Sequence, residues 1–328
     1  MTLFEPLELP RSGLRLANRL VMAPMPTFGA AADGSVGQAE LAYYRRRAAG
    51  GVAAIVTAGC AVADDGLAHP GQWRCDDDRF GDSLSRAAET IQQAGARAIL
   101  QLEHAGGPAL LNEEEAARLL DCFRQAARRA REAGFDGVAL HGGHGELLQQ
   151  FFSQKTNGRP WRFGGQGAAE RGRFPRQAVL EACEGFQGPC WYRLPPEEPG
   201  GIRLEQILDL AAALAQAGAE ALEIGAKRYD AASTAALARH LQGSRAVVIA
   251  VGGISRPEQA RQALADGCSL VGLGRVLLAA PDWPARISSN PDADIDGDLG
   301  DHTKLEALDV PPTVIDYLRR RARERRSS

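Results

Sequence analysis

The chain has 328 residues, 45% of them hydrophobic and 24% charged, with a formal net charge of −3. That length suits one α/β barrel and allows a large core without metal or disulfide staples. The near balance of charge gives no global pull toward nucleic acid or an anionic membrane. Six cysteines, Cys60, Cys75, Cys122, Cys183, Cys190 and Cys268, form no CxxC pair. No iron–sulfur or zinc framework is indicated, and reduced thiols of a cytoplasmic protein are expected. The N-terminus lacks an apolar run of signal-peptide length, and no stretch reaches the roughly 18 apolar residues of a membrane span.

Along the chain, short apolar runs alternate with Ala/Leu/Arg-rich stretches of helical period. The runs at 19–24, 53–62, 97–104 and 137–142 predict the first four strands, and those at 190–195, 221–226, 246–253 and 269–275 the last four. Near-continuous apolar runs suit parallel strands covered on both faces. Helices are predicted over 119–134, 204–218 and 257–267, ending at Gly134, Gly218 and Gly267, the last opening on Pro257. Eight βα units point to a (β/α)8 TIM barrel over residues 1–287, with a doubly wound sheet as the rival. Residues 153–175 read as a long loop. Residues 288–328 read as an acidic linker followed by a basic helical tail, DYLRRRARERRSS, expected to be exposed. The acidic run lacks the glutamate that a calcium loop requires.

In such a barrel the site is built at the C-terminal ends of the strands. The first strand ends in Ala23-Pro24-Met25-Pro26, the third carries Gln101 and His104, and the fourth ends His141-Gly142-Gly143-His144-Gly145. The fifth ends at Arg193, the seventh at Gly252-Gly253 and the eighth at Gly274-Arg275. The late glycine-rich ends are where a barrel holds phosphate, although VGGIS alone is equally a tight turn. His141 and His144 can donate hydrogen bonds to an anionic oxygen. Zinc would need a third ligand nearby, so no metal is expected.

The segments VMAPM, QLEHAG, AGFDGVALHGGHGELLQQFFSQKTNGRPWRFGG and VIAVGGISRPEQARQALADGCSLVGLGRVLLAAPDW together resemble the Old Yellow Enzyme family, over about residues 3–285. The resemblance implies an FMN-dependent oxidoreductase that takes hydride from NAD(P)H and passes it to an activated alkene. It implies that Ala23, Pro24, Met25 and Pro26 edge the flavin and that Gly59 and Gln101 face its pyrimidine end. It places Arg193 near N1 and the C2 carbonyl, and Gly253, Gly274 and Arg275 on the phosphate. His141 and His144 match the pair that holds the acceptor's carbonyl oxygen, and Phe28 falls at a substrate-facing position.

Departures concentrate on the substrate side. The family's proton-donating Tyr is replaced by Glu146. Pro26 stands where one subfamily has a redox-tuning Cys, Gly107 where the family has Arg, and Trp161 where it has Asp. The loop after the third strand, part of the family's substrate roof, is short. Glu146 can act as an acid only if burial raises its pKa; otherwise it points away and simple enones react slowly, with Glu146→Tyr a gain. The expected function is therefore hydride transfer to an activated alkene or quinone-like acceptor. Dehydrogenation or demethylation by an FMN barrel, and flavin binding without turnover, remain alternatives. The partner is a small molecule, neither nucleic acid nor membrane, and a homo-oligomer is compatible with this reading.

Overall fold

The computed structural model describes residues 2–107, 112–226, 228–295 and 297–327. Eight parallel strands close on themselves: β1 (Leu20–Met22), β2 (Ala54–Ala61), β3 (Arg97–Glu103), β4 (Gly137–His141), β5 (Cys190–Leu194), β6 (Ala221–Ile224), β7 (Val247–Ala250) and β8 (Leu270–Leu273). Closure comes from β1, which pairs with β2 through Val21↔Ala54 and with β8 through Val271↔Leu20. All eight lie within the runs predicted from sequence, so the TIM barrel replaces the doubly wound alternative.

Alternation along each strand separates two apolar layers. Val21, Val56, Ile99, Ala139, Trp191 and Ile249 fill the barrel interior. The other faces pack on the surrounding helices, where Leu119, Phe123, Ala126 and Ala130 form the buried stripe of the helix Glu113–Glu132. That helix opens with a capping box between Asn112 and Glu115. An N-terminal hairpin, Leu7–Glu8 with Arg15–Leu16, plugs the bottom with Leu9 and Leu16.

The site face is shaped by irregularity in β2. Its register against β3 shifts between Val56 and Gly59. The displaced polar groups are satisfied locally, with Gln101 N–H donating to Thr57 Oγ1 at 3.2 Å and Ala58 N–H to Tyr44 Oη at 2.8 Å. A bulge of this kind re-aims side chains at a barrel rim.

Two sequence expectations change. The stretch 153–175 is not all loop, because Ala168–Arg171 and the start of the helix Arg173–Phe186 fall inside it. Arg171, buried, holds that turn by donating to the carbonyls of Phe152, Gly165 and Gln166. The C-terminal region also lies on the barrel. Leu305, Val314 and Ile315 are buried in its core, and buried Arg47 donates to the carbonyls of Leu277, Leu278 and Leu308. From Asp316 the helix Pro312–Ser327 turns a mostly exposed face outward. Of the short loop after β3, residues 108–111 lie outside the described residues. Among the described residues no helix is long and apolar enough to cross a membrane.

Candidate active site

The strand ends form two clusters. The first follows β7 and β8. Gly253 takes a left-handed φ of +70°, closed to most side chains, and is solvent-exposed. Among the described residues the backbone N–H groups of Gly253, Gly274 and Arg275 have no hydrogen-bond acceptor, and the exposed Arg275 guanidinium has no ion pair. Unfilled N–H groups beside an unpaired cation are the donor set a phosphate requires. A Cβ on Gly274 would have only Met25 Sδ nearby, at 3.6 Å, so the backbone there is open to a ligand and β8 meets β1. Within Ala23–Pro26 the Ala23 N–H is spent on Leu273 O and the prolines have none, so Met25 supplies the free donor.

Between the clusters stand Gln101 and Arg193, on β3 and β5 at either side of β4, both lining the interior. Arg193 Nε donates to Glu223, with both side chains largely buried, while its two terminal nitrogens have no acceptor among the described residues. The indole N–H of Trp191, two residues before Arg193 on the same face, is buried without a partner. These orphaned donors fit a flat, carbonyl-bearing ring system lying across the strand ends, as a flavin would.

The second cluster follows β3 and β4. His141 is buried at the end of β4, and Gly142 and Gly143 turn the chain outward. His144, at φ +59°, folds back so that its Nδ1 lies 3.2 Å from His141 Nε2. Positive φ in a residue with a Cβ is uncommon and often functional. Burial, with Arg193 and His144 adding to it, pushes the His141 pKa well below its usual value, so the ring is neutral at pH 7. Glu146 caps the short helix Leu147–Phe152, and its Oε2 is 4.0 Å from His141 Nε2.

Sequence reading missed the partner of Glu146. Glu103 closes β3, 7% exposed, and its carboxyl meets that of Glu146. Two largely buried carboxyl groups in contact do not both rest ionised, because burial and mutual repulsion oppose the second charge. Burial first and the Glu103 charge second push the Glu146 pKa up to about 10, and burial raises Glu103 as well. The pair therefore holds a proton at neutral pH, on Glu146. The signal was available in sequence: Glu103 is two residues after Gln101 and so shares its inward face. Glu223, two after Ala221, follows the same rule.

Gly59 packs against the end of β3. A Cβ there would sit 1.4 Å from Glu103 Oε2, so Gly59 makes room for the carboxyl pair. Phe28 lies at the rim, its ring 4.5 Å from that of His69 and 5.3 Å from that of Tyr317. Ligand atoms of Glu103, His141 and Glu146 come within 4.8 Å of one another. This is the kind of third ligand that sequence reading found lacking for a metal. The spacing serves a shared proton equally, and the raised pKa values favour the proton.

The chain has relatives among known proteins. The profile of the NADH:flavin oxidoreductase / NADH oxidase family matches residues 2–119 and 108–293. The chain is 33% identical to the "Probable NADH-dependent flavin oxidoreductase YqiG" of Bacillus subtilis, with 90% of each covered. It is 30% identical to an NADPH dehydrogenase of Halalkalibacterium halodurans, over 83% of this chain and 90% of that one. It is 32% identical to the NADH:fumarate oxidoreductase of Klebsiella pneumoniae, covering 94% of this chain but 38% of the relative. Other long relatives are likewise spanned over less than half their length. Morphinone reductase bound to tetrahydroNAD superposes with a TM-score of 0.79 at 22% identity, covering 93% of this chain and 94% of that one. The old yellow enzyme homologue of Zymomonas mobilis gives 0.78 at 21%, over 90% and 95%. The likeness to these two structures concerns the fold. The extent of the profile match and the identity to YqiG place the chain in the NADH:flavin oxidoreductase / NADH oxidase family, as an FMN-dependent oxidoreductase with NAD(P)H as its reductant.

Proposed function

We propose that the chain reduces a carbon–carbon double bond conjugated to an uncharged carbonyl, with quinone-like acceptors as an easier alternative. Bound FMN would supply hydride transfer between the dihydronicotinamide and the acceptor. Gly253, Gly274 and Arg275 hold its phosphate. Arg193, its charge shared with Glu223, offers two nitrogens to the pyrimidine edge together with Gln101 and Met25 N–H. His141 and His144 grip the acceptor oxygen. His141, being neutral, meets it with an N–H rather than a cation. Glu146 delivers the proton to the carbon next to the carbonyl and regains one from solvent, to which its side chain is 18% exposed.

The observation that carries this reading is the protonated carboxyl beside the histidine pair, because alkene reduction needs one proton as well as one hydride. It favours the first of the two outcomes open for Glu146. The same pair argues against carboxylate acceptors such as those in the names of the fumarate and acrylate oxidoreductases among the relatives. After proton delivery it is doubly anionic, and it repels a further negative charge. Six unpaired cysteines support a reducing, cytoplasmic location.

The test is anaerobic. NAD(P)H should bleach the yellow protein, an uncharged enone should restore the colour, and the product should be the saturated ketone. Restoration by quinones with no enone product would sink the alkene-reducing reading.

A further inference from the structure

The basic tail singled out in the sequence plays no part so far. Its helix, Pro312–Ser327, is tied to the mouth of the barrel. Thr313 Oγ1 donates to Thr27 O at 2.6 Å, and Tyr317 lies against Phe28. Between this helix and the loops after β1 and β2 opens a cleft of about 660 Å³, within the size range of small-molecule sites. Arg319, Arg320 and Arg323 line one wall against a single carboxylate, Asp316. Phe28 and His69 form the other wall.

The charge is only partly spent within the protein. Arg319 binds Asp316 at 3.0 Å and approaches Glu306 and the His302 ring. Arg320 has no ion pair or hydrogen bond among the described residues and is exposed. A concave surface with a surplus of guanidinium groups focuses a positive potential and matches phosphate oxygens.

The aromatic wall adds a second observation. Phe28 is held at φ +53°, an unusual conformation for a bulky residue. Gly71 secures it, since a Cβ there would be 2.4 Å from Phe28 O. The strained backbone presents an aromatic ring at the rim, where a base can stack. His69 is also close enough to act electrostatically on Glu103, so the cleft adjoins the proton-donating cluster.

We propose that this cleft binds the diphosphate of a nucleotide, that of the dihydronicotinamide dinucleotide which reduces the flavin. The assignment rests on the proposed function. A nicotinamide ring entering over the strand ends has its phosphates one ribose away, so they come to rest at the rim. Arg275 faces the FMN phosphate position, Arg193 is paired with Glu223, and Lys155 with Glu198. A coenzyme A thioester acceptor carries the same diphosphate chemistry, and the test separates the two sources.

The experiment compares holoprotein with the double variant Arg320→Ala/Arg323→Ala. Both residues lie on the outward part of the helix, and the charge-restoring Arg320→Lys/Arg323→Lys controls for shape. Flavin reduction is followed by stopped flow with NADH, with NADPH and with a phosphate-free N-benzyl dihydronicotinamide. We expect the second-order rate constant for the dinucleotides, relative to the phosphate-free donor, to fall at least tenfold, and the lysine variant to recover most of it. An unchanged ratio overturns the proposal. So does a loss seen only in KM for a coenzyme A thioester enone, which would give the cleft to the acceptor. Calorimetric titration of oxidised NADP⁺ into the same holoproteins makes the comparison without turnover. Equal affinities there overturn the cleft assignment even if the alkene-reducing reading fails for its own reasons.

Discussion

The two ends of the active-site face are built on opposite principles. At the ends of β7 and β8 the donors are backbone N–H groups and one exposed arginine. At the ends of β3 and β4 the groups are buried side chains whose charge depends on one another: His141 held neutral, Glu146 held protonated, Glu103 beside it. The first arrangement suits a permanent anion and tolerates solvent. The second has to keep a proton ready, and that needs desolvation and a like-charged neighbour. Damage at the first end should therefore appear as lost cofactor at every pH, and damage at the second as lost or pH-shifted turnover with the cofactor in place.

The largest effect should come from Glu146→Gln, which keeps shape but removes the proton. Enone turnover should fall by about 10²–10⁴, the usual share of a general acid, with flavin content and quinone reduction retained. Stopped-flow oxidation of the reduced protein by each acceptor measures it, and an equal loss for both would erase the distinction between the two ends. Arg275→Ala removes a charge-assisted contact of about 1.5–3 kcal/mol, so FMN should bind roughly 10- to 150-fold more weakly at pH 6 and pH 9 alike. Fluorescence titration of apoprotein reads this directly. His141→Ala should weaken a phenol that mimics the enolate by about tenfold, one neutral hydrogen bond, leaving flavin content unchanged. Absorbance titration of the charge-transfer band would show it.

The smallest effect sharpens the comparison most. Because the pKa of Glu146 is raised, its neutral form persists at pH 7, and enone turnover should fall only as pH rises through about 10. Glu103→Gln removes the like charge that helps hold the proton, so the falling limb should move to lower pH. Gly59→Ala displaces Glu103 and should move it the same way. A limb that stays in place in both variants would mean that some other group supplies the proton.

Much of this site could be read before the structure. His141, His144 and Glu146 follow one another along the chain, so their convergence is local, and the Gly-rich ends of β7 and β8 mark open backbone at adjacent strands. The phosphate end is legible because it consists of backbone and glycine, whose geometry sequence encodes most directly. Glu103 was passed over although strand alternation puts it beside Gln101, because nothing local tells that it meets a carboxyl group 43 residues later in the chain. The C-terminal basic run looked like a solvated end for the same reason. The residues that place it at the barrel mouth, Thr27, Phe28 and Tyr317, are nearly 300 positions apart in sequence.

By itself the sequence determined the eight strands, the barrel they close into and the identity of the groups at its open end. Apolar periodicity and glycine placement are short-range signals, and hydrophobic burial admits few ways of satisfying them. The tertiary structure alone decided which of those groups carry a proton or a charge. A pKa depends on burial and on neighbours a few ångströms away, and those distances exist only once β2, β3 and β4 stand side by side.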